Sequence, residues 1–168
     1  TADGMVTRGM RDAGYRYVVI ADCWQVSRDP SGTIVADAQR FPHGIKALAD
    51  YVHSKGLRFG IYTDAGTKTC QGRPGTLGFE QRDAQTYASW GVDYVKEAWC
   101  NAYGLNALVQ YSKFRRALDH SGRSTVLSFC GWDADQPSGW APAVGSVWRT
   151  THDISDHWSS MLSTLEPR

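Results

Sequence analysis

Apolar positions along the chain switch repeatedly between helical and extended spacing. Ala2, Met5, Val6 and Ala13 share a helical face, and Gly14 is placed to stop that helix. Tyr15 to Asp22 follows, with the β-branched and aromatic run of a strand buried on both faces. A polar turn lies at Asp29 to Gly32. Ile45, Leu48, Ala49 and Val52 predict a second helix, ended by Gly56. Arg58 to Asp64 reads as a strand, and a loop rich in Gly and Thr runs on to about Gly78. Phe79 to Trp90 predicts a helix closed by Gly91, and Asp93 to Glu97 a short strand. Leu105 to His120 is a helix, with Ala107, Leu108, Tyr111 and Leu118 among its apolar positions. Ser124 to Phe129 is a strand, Ser146 to Thr150 a further short one, and a helix starts near Ile154.

Strand and helix alternating in this way imply parallel strands joined by right-handed crossovers. A doubly wound sheet and a (β/α)8 barrel both satisfy the pattern. Chemistry-bearing side chains at the strand C-termini favour the barrel: Asp22, Asp64, Lys96, Cys130 and Arg149. No dinucleotide fingerprint follows any strand, and Gly72-Arg-Pro-Gly75 has the wrong spacing for one. A full barrel needs roughly 250 residues. These 168 residues supply enough elements for strands 2 to 6 of a (β/α)8 TIM barrel. One strand is expected before Thr1 and about two after Arg168. Residues 1–168 are thus expected to form one partial barrel domain, with no second domain inside them.

Composition narrows the function. The net charge of +1 comes with scattered basic residues, which argues against a nucleic-acid partner. The longest apolar stretch is Val18 to Ala21, far short of a membrane span. Seven Trp, eight Tyr and five Phe are more than the chemistry so far requires. They suit core packing, with sugar stacking as a second use. Cys23, Cys70, Cys100 and Cys130 form no C-x-x-C pair and have no clustered His, so no metal site is expected.

Longer motifs are more specific. Ala21-Asp-Cys-Trp24, the block Phe41 to Leu57, Gly60 to Gly66 with Thr69-Cys70, Trp90 to Lys96, Trp148-Arg149 and Asp153-Ile154 occur in order through almost the whole chain. Together they resemble glycoside hydrolase family 27, the α-galactosidase (melibiase) family. That resemblance implies retaining hydrolysis of α-galactoside-like sugars without a cofactor. In such chemistry one carboxylate attacks the anomeric carbon, and the other serves as acid and then base. The resemblance makes Asp153 the acid/base; without it, Asp153 reads as a helix N-cap before Ile154. The family pattern around the nucleophile is Lys, an aromatic or variable residue, Asp, a variable residue, Cys. Here the string is Lys96-Glu97-Ala98-Trp99-Cys100, so Ala98 stands at the nucleophile position. A methyl group cannot attack carbon, and this form is expected to be inactive. The alanine is either a deliberate replacement that traps a bound sugar or a natural loss. The otherwise retained site, Asp153 included, favours the former. Strand alternation turns Glu97 away from the face of position 98, which disfavours it as a substitute.

By the same resemblance Asp22, Tyr62, Lys96 and Arg149 hold the sugar. Tyr62 reads equally well as a core tyrosine, and Arg149 as half of a structural ion pair. Two departures bear on specificity. Ala21 replaces the first carboxylate of D-D-C-W, and Cys130-Gly131-Trp132 replaces C-E-W. Losing built-in polar partners changes discrimination strongly, so a β-L-arabinopyranosidase type stays open beside α-galactosidase. The resemblance also implies a disulfide between Cys70 and Cys100, and with it a secreted or otherwise extracytoplasmic protein. It pairs Cys23 with an upstream cysteine and leaves Cys130 without an evident partner. The partner expected is a carbohydrate substrate, with no nucleic acid and no membrane. The competing readings are a non-catalytic carbohydrate-binding pseudoenzyme, a Schiff-base aldolase using Lys96, and an inactive structural fragment.

Overall fold

The computed structural model describes residues 1–130 and 137–165. Its strands are β1 (Tyr17–Val19), β2 (Gln25–Arg28), β3 (Ile34–Ala36), β4 (Arg58–Asp64), β5 (Tyr94–Ala98), β6 (Val126–Phe129) and β7 (Val147–Trp148). Its helices are α1 (Ala2–Thr7), α2 (Gly44–Ser54), α3 (Glu80–Trp90), α4 (Ala107–Asp119), α5 (Ala141–Val144) and α6 (Trp158–Leu165). Five strands form one sheet in the order β1-β4-β5-β6-β7, and every neighbouring pair is parallel. Strands that follow one another in chain order without reversal make a barrel wall; a doubly wound sheet reverses at a switch point.

The helices pack on one face of this wall for reasons visible in their spacing. In α2, Ile45, Ala49 and Val52 are buried, one stripe of an amphipathic helix. In α4, Tyr111, Phe114 and Leu118 do the same. Against them lies the helix-facing row of the sheet, Ile61, Val95 and Leu127, aligned in register and fully buried. The Asn106 side chain accepts from the Val109 N–H at 3.0 Å and caps α4. Gly91, at φ 80°, ends α3 in the left-handed conformation that glycine adopts without strain.

At the N-terminal ends of the strands, Asp93 gathers three donors. Its carboxylate takes the Phe59 N–H at 2.9 Å, His53 Nε2 at 2.7 Å and Arg123 Nη2 at 2.6 Å. Burial pushes its pKa up, but these partners outweigh burial and hold it below the usual aspartate range. The clamp joins α2, β4 and the segment ahead of β6 on the face of the barrel wall that serves stability.

Several expected elements differ. The strand expected over Tyr15 to Asp22 pairs only at Tyr17–Val19 and is not buried on both faces: Tyr17 is 37% and Val19 41% exposed. Among the described residues β1 has a single strand neighbour, β4, and Tyr17 and Val19 lie on its more exposed face. The turn at Asp29 to Gly32 is the tip of a β2–β3 hairpin that the apolar pattern missed, because Gln25-Val-Ser-Arg28 offers too few apolar positions. Asp29 Oδ1 holds that tip by accepting from the Ser31 and Thr33 N–H groups. The strand expected over Ser146 to Thr150 contracts to β7, and the helix expected near Ile154 begins at Trp158. No helix among the described residues is long and apolar enough to cross a membrane.

Candidate active site

Alternation along β4, β5 and β6 sorts their side chains onto two faces. Tyr62, Lys96 and Ser128 are register partners on one face, and Asp64 and Ala98 pair beside them at the strand ends. On the opposite face Thr63, Glu97 and Phe129 line up, and Phe129 packs at a tilt against Tyr111 of α4 with ring centroids 4.6 Å apart. Ala98 and Glu97 therefore face opposite ways. The Ala98 methyl, 4% exposed, lies among the polar inner residues, whereas Glu97 is packed under the helices.

Asp64 is the most enclosed carboxyl on the inner face. Its Oδ1 accepts from the Gly66 N–H and its Oδ2 from the Cys100 N–H, each at 2.8 Å. Burial raises its pKa to about 7; the two backbone donors oppose that rise, as does Lys96, and Asp22 adds to it. The loop after β4 returns to β5 through the Cys70–Cys100 disulfide expected from the sequence. Gly66 sits so close to this return that a Cβ there would lie 2.3 Å from the Cys100 carbonyl oxygen. Tyr62 donates its hydroxyl toward Cys70 Sγ at 3.2 Å, and burial pushes its phenol up, with Asp64 and Asp22 adding to the rise. Asp64, Cys70 and Cys100 place potential ligand atoms within 4.8 Å of one another. Both sulfurs are committed to the disulfide, however, and a metal would need thiolates.

Asp22 leaves β1 half-buried and ties that strand end to the same loop. Its Oδ1 accepts from the Cys23 N–H at 2.7 Å and its Oδ2 from the Gln71 N–H at 3.1 Å. Cys23, at φ 71°, makes the sharp turn that follows. Next to it the buried Trp24 donates its Nε1 to the Tyr62 carbonyl at 2.7 Å.

On the same face Lys96 and Arg149 converge on one sulfur. Lys96 Nζ is 2.9 Å from Cys130 Sγ, and Arg149 Nη1 is 3.9 Å from it. Arg149 also pairs with Asp153 at 2.5 Å, the ion pair that was one of its two expected roles. Asp153 is 83% exposed at its side chain and does not cap a helix, since α6 begins at Trp158. Asp22, Tyr62, Lys96, Ala98, Arg149 and Asp153 thus stand on strand ends or in the segments that follow them. Asp64 and Cys130 join them and were not among the sequence-assigned site residues; their place at strand C-termini was the available signal. Gly131 and Trp132, the altered C-E-W segment, lie outside the described residues.

Glu97 belongs to a different environment. Its Oε1 accepts from Thr76 Oγ1 at 3.0 Å, and its Oε2 has no partner. Burial pushes its pKa well above the ordinary glutamate value, Asp64, Glu80 and Asp83 add to that, and the Thr76 hydroxyl opposes it. A carboxyl on the helix side cannot act as the inner-face carboxylate.

Comparison with known proteins identifies the family and the fold. A family model described as α-galactosidase A matches residues 1–167. The probable α-galactosidase of Dictyostelium discoideum is 54% identical over 165 residues, covering 98% of this chain and 43% of that protein. The structure of the Saccharomyces cerevisiae α-galactosidase with raffinose superposes with a TM-score of 0.90 at 37% identity, covering 93% of this chain and 36% of that one. A β-L-arabinopyranosidase of Geobacillus stearothermophilus, 24% identical, shares the fold with a TM-score of 0.80, covering 94% of this chain and 50% of that one. The chain spans about two fifths of the length of the curated relatives it matches.

Proposed function

The chain belongs to the α-galactosidase A family of glycoside hydrolases, and from that premise we propose that it carries the sugar site of a retaining glycosidase whose attacking carboxylate is missing. The observation that supports this most directly is the inner face itself: Tyr62, Lys96 and Asp64 in register beside the Ala98 methyl, with Arg149, paired to Asp153, facing the same Cys130 sulfur as Lys96. In this reading Asp153 is the acid/base, and its ion pair with Arg149 orients the carboxyl. Lys96 donates to sugar hydroxyls and Asp22 accepts from them, while Tyr62 lines the pocket. Ala98 stands where an Asp would attack the anomeric carbon. Without that group the covalent glycosyl-enzyme cannot form, and only binding remains. No step of the reaction requires a cofactor.

An α-galactoside is the first sugar to test, because the relatives named α-galactosidase reach 54% identity. The Cys70–Cys100 disulfide supports an exported protein, since such bonds persist in oxidising surroundings.

The test is Ala98→Asp in the full-length protein, assayed on nitrophenyl α-galactoside, β-L-arabinopyranoside and α-glucoside. Hydrolysis that appears on one sugar and is lost again on Asp153→Asn establishes the glycosidase. A folded Ala98→Asp protein that binds galactose but hydrolyses nothing favours the second reading, a non-catalytic carbohydrate binder, for which Ala98 is the supporting observation.

A further inference from the structure

We propose that Lys96 and Cys130 form an oxidant-driven covalent switch in which hydrogen peroxide joins the lysine nitrogen to the cysteine sulfur. Its effect on sugar binding rests on the function proposed above; the bond itself does not. Three observations lead to it. Lys96 Nζ and Cys130 Sγ are 2.9 Å apart, closer than any other side-chain amine and thiol contact described for the chain. Arg149 Nη1 faces the same sulfur from the β7 side at 3.9 Å. The backbone on both sides of that sulfur is pinned: the Cys130 N–H donates to the Glu97 carbonyl at 3.1 Å, and its own carbonyl accepts from the Tyr111 hydroxyl at 2.6 Å. Cys130 is buried, but two cationic side chains face its sulfur, so the amine that would trap an oxidised sulfur is already in contact with it. The chain also carries a disulfide, a mark of surroundings where oxidants are met.

The chemistry balances in two steps. Peroxide transfers one oxygen to the sulfur: its O–O bond breaks, Cys130 becomes a sulfenic acid, and one water leaves. Sulfur has then been oxidised by two electrons and peroxide reduced by two. Lys96 releases its ammonium proton to solvent, and its nitrogen lone pair attacks the sulfur. The S–O bond breaks, and the departing hydroxide takes a proton from nitrogen and leaves as the second water. The product is an S–N bond, which a thiol reductant cleaves back to amine and thiol. In the bridged state Lys96 has no ammonium to offer a sugar hydroxyl. Loss of one charge-assisted hydrogen bond corresponds to a drop in sugar affinity of roughly tenfold or more.

The full-length protein is treated with hydrogen peroxide, blocked with iodoacetamide and mapped by tryptic mass spectrometry. The expected result is a joined peptide pair containing Lys96 and Cys130, two hydrogens lighter than its parts, with cleavage after Lys96 lost. Dithiothreitol should release it and restore both peptides. Lys96→Arg should stop at oxidised Cys130 without a bridge, and Cys130→Ser should show no change at either position. If the bridge forms but galactose never binds either redox state, the switch stands and the sugar-site reading fails. If Cys130 in the unsubstituted protein goes to sulfinic acid, pairs with Cys23, or stays a free thiol, the proposal is overturned.

Discussion

Glu97→Gln should flatten the fall of stability with rising pH, and the size of the effect follows from the side chain's surroundings. Glu97 is 1% exposed, its Oε2 has no partner, and Asp64, Glu80 and Asp83 surround it with like charge. In the unfolded chain it ionises as an ordinary glutamate, while in the fold burial pushes its pKa well above that value. Below the ordinary value both states hold the proton, and the group contributes no pH dependence. Above it the folded state keeps a proton that the unfolded state has released. Stability then falls by up to about 1.4 kcal/mol for each pH unit until the folded value is reached. Glutamine keeps the carbonyl that accepts from Thr76 Oγ1 and removes the proton linkage. Any difference in packing energy between the amide and the acid is a fixed amount and does not change with pH. Asp64, raised to about 7, contributes a slope of the same sign that the variant retains. Urea unfolding followed by tryptophan fluorescence, at several pH values between about 5 and 7, should give two stability curves that diverge as pH rises. Parallel curves would mean that Glu97 is ionised in the fold, and the account of its burial would be wrong.

Three further outcomes follow from the packing. Arg28 clasps Asp83 through both guanidinium nitrogens at 2.7 and 2.6 Å, linking the hairpin to α3. Arg28→Met leaves that buried carboxylate unpaired and should cost about 3–5 kcal/mol in urea unfolding. Replacing Cys70 and Cys100 together by Ser opens a crosslink between residues 30 apart in sequence, and the midpoint of unfolding should fall by the equivalent of about 3–4 kcal/mol. Asp93 has a lowered pKa, so its contribution is present above the ordinary aspartate value and is lost as pH falls through the folded one. Asp93→Ala should therefore destabilise at neutral pH and lose less further stability on acidification than the unsubstituted protein, as thermal unfolding across the acid range would show.

The sequence carried the barrel wall clearly and its edges poorly. Helices α2, α3 and α4 were legible because each buries a stripe at helical spacing, and β4 because an aromatic and β-branched run stands between the helix stop at Gly56 and a loop rich in Gly and Thr. The hairpin was not legible: β2 and β3 are held by Arg28, Asp29 and backbone pairing, and apolar periodicity does not record these. The extent of β1 was overstated because an apolar strand reads as buried even where, among the described residues, one of its faces is partly exposed. At the site, the Cys70–Cys100 bond was legible from the family resemblance. The roles of Asp64 and Cys130 were not, because each depends on distances set by different segments: Asp64 on two backbone donors, Cys130 on two cations.

Strand β5 separates chemistry from packing residue by residue, and this decides how an Ala98→Asp result can be read. The Ala98 carbonyl accepts from the Ala65 N–H at 3.0 Å, while its side chain is only a methyl on the inner face. A change there leaves that backbone bond in place, whereas a change at Glu97 alters a buried group under α3 and α4. In a folded Ala98→Asp protein, activity gained or withheld therefore reports on the pocket. The new carboxylate would sit directly beside Asp64, its register partner on β4, and two close carboxyls do not both ionise easily. Asp64 already titrates near neutrality, with its oxygens held by Gly66 and Cys100. The proton should stay on Asp64 and the charge should fall on position 98, on the same inner face as Lys96. Activity in Ala98→Asp should consequently survive into mildly acidic solution, where Asp64 is fully protonated. If Asp64→Asn in that background moves the acid limb of the pH profile, Asp64 carries charge there and the assignment of the proton fails.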